Sequence, residues 1–282
     1  MKHEAHLSQG TIRYREDGTG EPLLFVHGVL VDGDLWRKVV PRLAKDFRCI
    51  VPDWPFGSHE TPLAPDADLS PPALARMIVD FMDALGLESA TLVGNDTGGA
   101  LCQLVAADHP DRVSRLVLTS CDIYDRFPPP PFKPLGRITK LPGSVWLITQ
   151  SLRPRLAQRL PIAFGWVTKR IPEKAVVDKW LRPVRTSRGV RRDVGKIFRA
   201  IDPKYTIEAA QKLESFEKPV LLAWAVEDKL FPIEYARRFA DALPNATLEE
   251  IEDSYTFIAE DQPDRLAEAI ASFVRRPATV SA

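Results

Sequence analysis

Histidine is scarce and one-sided in this chain of 282 residues. Five occur, at positions 3, 6, 27, 59 and 109, and none follows residue 109. Chemistry that needs an imidazole from the carboxyl half is therefore excluded. Cysteine is sparser still: Cys49, Cys102 and Cys121 are widely spaced and odd in number. That pattern suits neither a disulfide framework nor a zinc cluster, so reduced core thiols are expected. No stretch approaches the ~18 uninterrupted apolar residues of a bilayer span, and the start, MKHEAHLSQG, lacks the apolar segment of a signal peptide. The expectation is a cytoplasmic protein with no membrane span. Net charge is absent too, with 38 Lys+Arg against 38 Asp+Glu, which argues against nucleic acid as the principal partner, because such binding draws on excess basic charge. No G-x-G-x-x-G turn and no His/Cys/carboxylate group with ligand spacing occurs, so neither cofactor nor metal is expected. What is present is 45% hydrophobic and 27% charged residues, a composition that folds.

The first 124 residues alternate short apolar runs, at 11–15, 22–26, 48–51, 90–93 and 113–118, with helical patterns. Helices are expected over 72–85, capped by Ser70, and over 98–107. Such alternation predicts an α/β fold, a doubly wound and mostly parallel sheet buried on both faces. The pattern breaks after Asp122 at Pro128, Pro129, Pro130, Pro131 and Pro134. Short basic segments punctuated by further prolines follow, and strand character returns only near Pro219. A helix over 233–242, a strand over 246–251 and a helix over 265–275 complete the pattern, and the tail from Pro277 to Ala282 is expected to fray. The expected organisation is a core made of residues 1–124 and 216–282, with a helical cap of residues 125–215 inserted. Between Asp125 and Ser215 there are 20 Lys+Arg and 7 Asp+Glu. This excess either docks the cap on the acidic core or attracts an anionic substrate.

The segment Thr91-Leu92-Val93-Gly94-Asn95-Asp96-Thr97-Gly98-Gly99-Ala100 carries the most chemistry. A strand runs into Gly-x-nucleophile-x-Gly and then a helix, a turn that strains its central residue and presents it at the sheet edge. Asp96 stands there, facing the positive end of the helix that follows. A second turn, after Pro22–Val26, reads His27-Gly28-Val29, with Trp36 beyond it. Backbone amides of Val29 and Thr97 are expected to hold an oxyanion or a leaving anion, while His27 is mainly structural. Asp228, just past the strand over 219–224, is the candidate acid, with Glu227 the less favoured neighbour. His27, Trp54, Thr256 and Phe257 are expected to border the substrate pocket. In the cap, Trp146, Phe164, Trp166, Trp180 and Phe198 either line a cavity or hold short helices together.

On these motifs, with DWPFGS from Asp53, HPDRVSRLVL from His109 and EDQPDRLAEAIASFV from Glu260, the chain resembles the α/β-hydrolase superfamily, in its Asp-nucleophile branch of haloalkane dehalogenases and epoxide hydrolases. The resemblance implies that Asp96 is a nucleophile forming an ester with substrate and that Asp228 is the acid of a triad. It also exposes a departure. The triad's histidine belongs after the last strand, where Ile251-Glu252-Asp253-Ser254-Tyr255-Thr256-Phe257 stands, and its place is held by Thr256. Attack by Asp96 needs no base, but hydrolysis of the ester needs a group that takes a proton from water. His59 is the first substitute and Asp228 or Glu227 the second; His109 is expected at the far end of the elbow helix, and His3 and His6 as terminal residues. Other features of the branch are also missing: Thr97 stands where a halide-binding Trp often follows the nucleophile, Val29 where an Asn follows His-Gly, and the only cap tyrosine is Tyr205, with Tyr124 at the entrance.

Three functions stay open. The first is a hydrolase of a small, mainly apolar substrate. The second is a lyase, isomerase or cyclase in which Asp96 only moves protons. The third is a catalytically retired binding protein. A monomer or homodimer suits each.

Overall fold

A computed structural model describes residues 2 to 276. Its centre is an eight-stranded sheet of β1 (Lys2–Leu7), β2 (Gly10–Asp17), β3 (Pro22–Val26), β4 (Arg48–Pro52), β5 (Ala90–Asp96), β6 (Val113–Cys121), β7 (Val220–Ala225) and β8 (Ala246–Ile251). The order is β1-β2-β4-β3-β5-β6-β7-β8, antiparallel where β2 meets β1 and β4 and parallel elsewhere. The α/β, mostly parallel architecture expected from the alternation is the one observed. The core of β3, β5, β6 and β7 is buried along nearly its whole length, which is why these strands read as continuous apolar runs. The tail from Pro277 lies outside the described residues.

Before the elbow come α1 (Val40–Leu43) and α2 (Pro71–Ala84), and α3 (Thr97–Asp108) follows it. Ser70 sits at the N-cap of α2, but its hydroxyl makes no capping bond; Pro71 at the first helical position starts the helix without it. Between β6 and β7 the chain is helical: α4 (Leu135–Ile138), α5 (Ser144–Ser151), α6 (Arg155–Gln158), α7 (Lys174–Thr186), α8 (Arg188–Ala200) and α9 (Pro203–Leu213). Beyond β7 lie α10 (Ile233–Ala242), α11 (Ile258–Asp261) and α12 (Pro263–Arg275). Among the described residues no helix is long and apolar enough to cross a membrane. Cys49, Cys102 and Cys121 are free and buried.

Strand β1 is a correction. His3 and His6 are not loose terminal residues: His3 pairs with Tyr14 across β2, and His6 Nδ1 lies 3.1 Å from the Thr11 hydroxyl. Its sequence, KHEAHL, has too few apolar residues to read as a run, as suits an edge strand on which an exposed charge, Glu4, discourages pairing with another chain.

The helical segment is clasped to the sheet by buried polar contacts. Trp180 Nε1 donates to Asp32 Oδ1 at 2.9 Å. Asp261 accepts from the Thr168 hydroxyl and from the amides of Lys169 and Arg170, at 2.8 to 2.9 Å. Lys169, Arg170 and Lys179 pair with Glu227, Asp253 and Asp34 of the core. Part of the segment's basic excess therefore serves docking.

Candidate active site

The sharp turn at the end of β5 places Asp96 at φ 52°, ψ −133°, a left-handed backbone that costs a residue with a Cβ of order 1–3 kcal/mol. Glycine permits the turn on every side. A Cβ on Gly94 would lie 2.6 Å from the Gly99 Cα, one on Gly98 would strike the Val26 carbonyl, and one on Gly28 would overlap Asp96 Oδ2. The Gly-x-Asp-x-Gly-Gly spacing is thus a packing requirement as well as a motif. Asp96 is half-buried, whereas its neighbours Asn95 and Thr97 keep only 2% and 5% of their surface.

The backbone amides of Thr97 and Val29 face the Asp96 carboxylate and favour its ionised form. The two donors expected to hold an anion thus converge on Asp96. Burial nevertheless dominates and, with Asp228 adding repulsion, pushes the Asp96 carboxyl up to about 7. Asp228 Oδ1 accepts from the Leu230 and Phe231 amides at 2.8 and 2.9 Å and from Thr256 Oγ1 at 3.0 Å. Its other oxygen is buried without a partner, and burial raises this carboxyl to about 6. The place expected for the triad's histidine therefore does adjoin Asp228, through a hydroxyl.

A third carboxyl, Asp122, escaped the sequence reading. It follows β6, accepts from Thr97 Oγ1 at 3.2 Å, and buries its second oxygen unpaired. Burial, then the neighbouring Asp96, holds its pKa well above the usual carboxylate range. The signal was available, since an acid just past a buried strand is the criterion that picked Asp228. Asn95 was missed as well. Its amide donates to the carbonyls of Thr119, Ser120 and Thr256 at 2.8, 3.2 and 2.8 Å, tying the elbow to β6 and to the loop that carries Thr256.

The histidines are engaged elsewhere. Both ring nitrogens of His59 have other partners: Gly57 N donates to its Nδ1 at 3.2 Å, and its Nε2 faces Asp193 of α8 at 3.3 Å. His27 Nε2 accepts from Trp54 N at 2.9 Å, its Nδ1 donates to the Gly28 carbonyl at 2.8 Å, and burial lowers its pKa to about 4. His27 and Trp54 are both 0% exposed, so they brace the turn and do not face an open pocket. His109 ends α3, the helix that Asp96 begins, about 18 Å away for a helix of 12 residues. Phe257 packs edge-on against Trp180, and Glu227 is taken up by Lys169. Tyr124 packs at a tilt against Tyr235 and edge-on against Phe239, and Tyr205 lies under Lys204. Trp146, by contrast, is 46% exposed.

Carboxyls raised on folding destabilise the native state as they ionise. Asp96 and Asp228 bind protons more tightly in the folded chain than their ordinary value of 3.8 allows. Stability should therefore fall as pH rises from about 4 to about 7, by up to ~1.4 kcal/mol per pH unit for each group. Thermal unfolding followed from pH 5 to pH 8 is expected to show a falling Tm, and Asp96→Asn should flatten the slope.

An eight-stranded sheet with an acid elbow after β5 and amide donors from the turn after β3 defines a class. The profile described as alpha/beta hydrolase fold matches residues 21–143. Haloalkane dehalogenase 2 of Mycobacterium tuberculosis is 32% identical over 276 residues, 93% of this chain and 91% of that protein. The chain belongs to the α/β-hydrolase fold family and is similar to its haloalkane dehalogenases. A cis-3-alkyl-4-alkyloxetan-2-one decarboxylase of Xanthomonas campestris is 30% identical, over 93% of this chain and 92% of that one. An ancestral haloalkane dehalogenase superposes with a TM-score of 0.78 at 25% identity, over 97% and 98% of the two chains.

Proposed function

We propose that this protein is a hydrolase of a small, mainly apolar electrophile, enclosed between the sheet edge and a cap of residues 125–215. Asp96 is the nucleophile. One carboxylate oxygen attacks an electrophilic carbon, as in an alkyl halide or an epoxide; the carbon–leaving-group bond breaks and an ester forms. The Val29 and Thr97 amides, which hold the carboxylate beforehand, then turn to the ester oxygen as water adds. Asp228 takes the base's part, its unpaired oxygen accepting a proton from the attacking water. The water's other proton goes to the departing alkoxide to give the alcohol, the proton on Asp228 passes to solvent, and Asp96 is regenerated as a carboxylate. The single observation that supports this reading most is the strained Asp96 carboxylate under two convergent amides.

Asp228 at about 6 is a weaker base than a triad imidazole relayed by an acid, so ester hydrolysis is the slow step. Exposure to an alkyl bromide or a terminal epoxide should accordingly leave a mass adduct on the peptide that contains Asp96; in ¹⁸O-water its decay should release unlabelled alcohol first and place ¹⁸O in the Asp96 carboxylate, the alcohol taking up label only in later turnovers. No adduct and no product would rule the reading out.

Three carboxyls with raised pKa, two of them flanking Thr97, whose amide faces Asp96 and whose hydroxyl donates to Asp122, favour a second reading in which Asp96 and Asp122 shuttle a proton and no water is consumed. The decarboxylase relative fits that chemistry. Turnover without label uptake and without an adduct would select it.

A further inference from the structure

The cations between β6 and β7 divide into two groups. From Lys169 onward several dock, as Lys169, Arg170, Lys179 and Lys212 pair with acids of the core. The earlier ones do not. From Arg126 to Pro172 the chain carries nine Lys and Arg and no Asp or Glu. Arg155 meets only neutral acceptors, Gln158 Oε1 and the Ile171 carbonyl, and Arg126 only the face of Tyr235. Among the described residues, none of the cations from Arg126 to Arg159 forms an ion pair.

The same stretch holds the apolar surface that the fold leaves uncovered. Of the eight exposed large apolar side chains among the described residues, seven fall between Ile138 and Ile162; Leu156 is 77% exposed, Ile162 66%, and Leu141 and Leu147 64%. The two kinds of side chain are interleaved. Lys140, Leu141 and Trp146 line one hollow with Arg188, Arg191 and Arg199, on the side where α4 and α5 pack against α8.

A partner for this face must accept leucine, isoleucine and tryptophan and must neutralise unpaired cations. A second copy of the chain seated face to face would oppose like charges. A nucleic acid would neutralise the cations but leave exposed leucine and isoleucine without a stacking partner. An anionic bilayer surface satisfies both requirements, because apolar side chains enter the boundary between headgroups and acyl chains while Lys and Arg meet the phosphates.

We propose that residues 126–162 form a peripheral membrane-binding face specific for bilayers rich in anionic phospholipid, with Trp146, Leu147, Leu156 and Ile162 entering the interface.

The test uses the full chain and vesicles of phosphatidylcholine with or without phosphatidylglycerol, in flotation and in tryptophan fluorescence. Binding to the anionic vesicles should be at least about tenfold tighter and should weaken steeply with salt. The emission should shift to the blue, and the shift should disappear in Trp146→Phe. Leu147→Asp combined with Leu156→Asp, and separately Arg153→Glu combined with Arg159→Glu, should each reduce binding by about tenfold or more at an unchanged Tm, since all four side chains lie on the surface. Equal partitioning onto both vesicle types, or none, would overturn the proposal. So would a light-scattering dimer that the leucine pair dissolves while vesicle binding is absent.

Discussion

Asp96→Asn should lower turnover by at least ~10³-fold, abolish the covalent adduct, and raise the Tm at the same time. The loss follows from the nucleophile's role, since an amide oxygen in that position cannot displace a leaving group. The gain follows from the site's electrostatics. At neutral pH the buried elbow carboxyl, raised to about 7, is partly ionised beside Asp228 and Asp122, and its ionisation opposes folding. Asparagine keeps an acceptor for the Val29 and Thr97 amides and turns a donor toward the two carboxyls, removing one buried charge without leaving a void. A gain of about 2 kcal/mol corresponds to ~4–8 °C in a chain of this size, and the difference should shrink toward pH 5. Kinetics and calorimetry on the same preparation check both halves. A variant that loses activity and stability together would show that Asp96 is held by contacts, with no electrostatic strain in the site.

Thr256→His should accelerate release of the ester by ~10²–10⁴-fold, the range that positioned general bases contribute. The Thr256 hydroxyl already lies 3.0 Å from Asp228 Oδ1, so an imidazole there has its orienting acid in place. Its backbone is held from the other side by the Asn95 amide at 2.8 Å. The larger ring must fit where threonine is 0% exposed, an overpacking cost of ~1–3 kcal/mol. Single-turnover measurement of adduct decay separates the chemical gain from any loss of folded protein. Asp228→Asn placed on top of Thr256→His should remove most of the gain, because the imidazole then loses its orienting acid. An unchanged decay rate in a folded Thr256→His variant would count against the assignment of this position to the missing base.

The elbow was legible because its signal is local. Gly94, Gly98 and Gly99 stand within a few residues of Asp96, so the motif is read from adjacent positions, although the atoms a Cβ would strike at Gly98 and Gly99, the Val26 carbonyl and the Cys121 side chain, come from other strands. The signal of α10, expected and found over 233–242, is local too. Strand β1 was not legible, since a polar edge strand lacks the apolar run by which buried strands are recognised. Nor was the true partner of His59, because Asp193 lies 134 positions away on α8 and no spacing rule links the two.

By itself the sequence determined the parallel α/β core, the acid at the turn after β5, the amide donors that meet it, and the absence of a carboxyl-terminal imidazole. Each is either a pattern over a few adjacent residues or a plain matter of composition. Only the tertiary structure decided that Asp122 joins Asp96 and Asp228, that His27 and His59 are occupied, and that the basic residues divide between docking and an unpaired outer face. Strand register carries Asp122 to the elbow, where Asp96 pairs with Cys121 across β5 and β6. Burial then sets the protonation of all three carboxyls, and burial belongs to the assembled sheet and helices, not to any one segment.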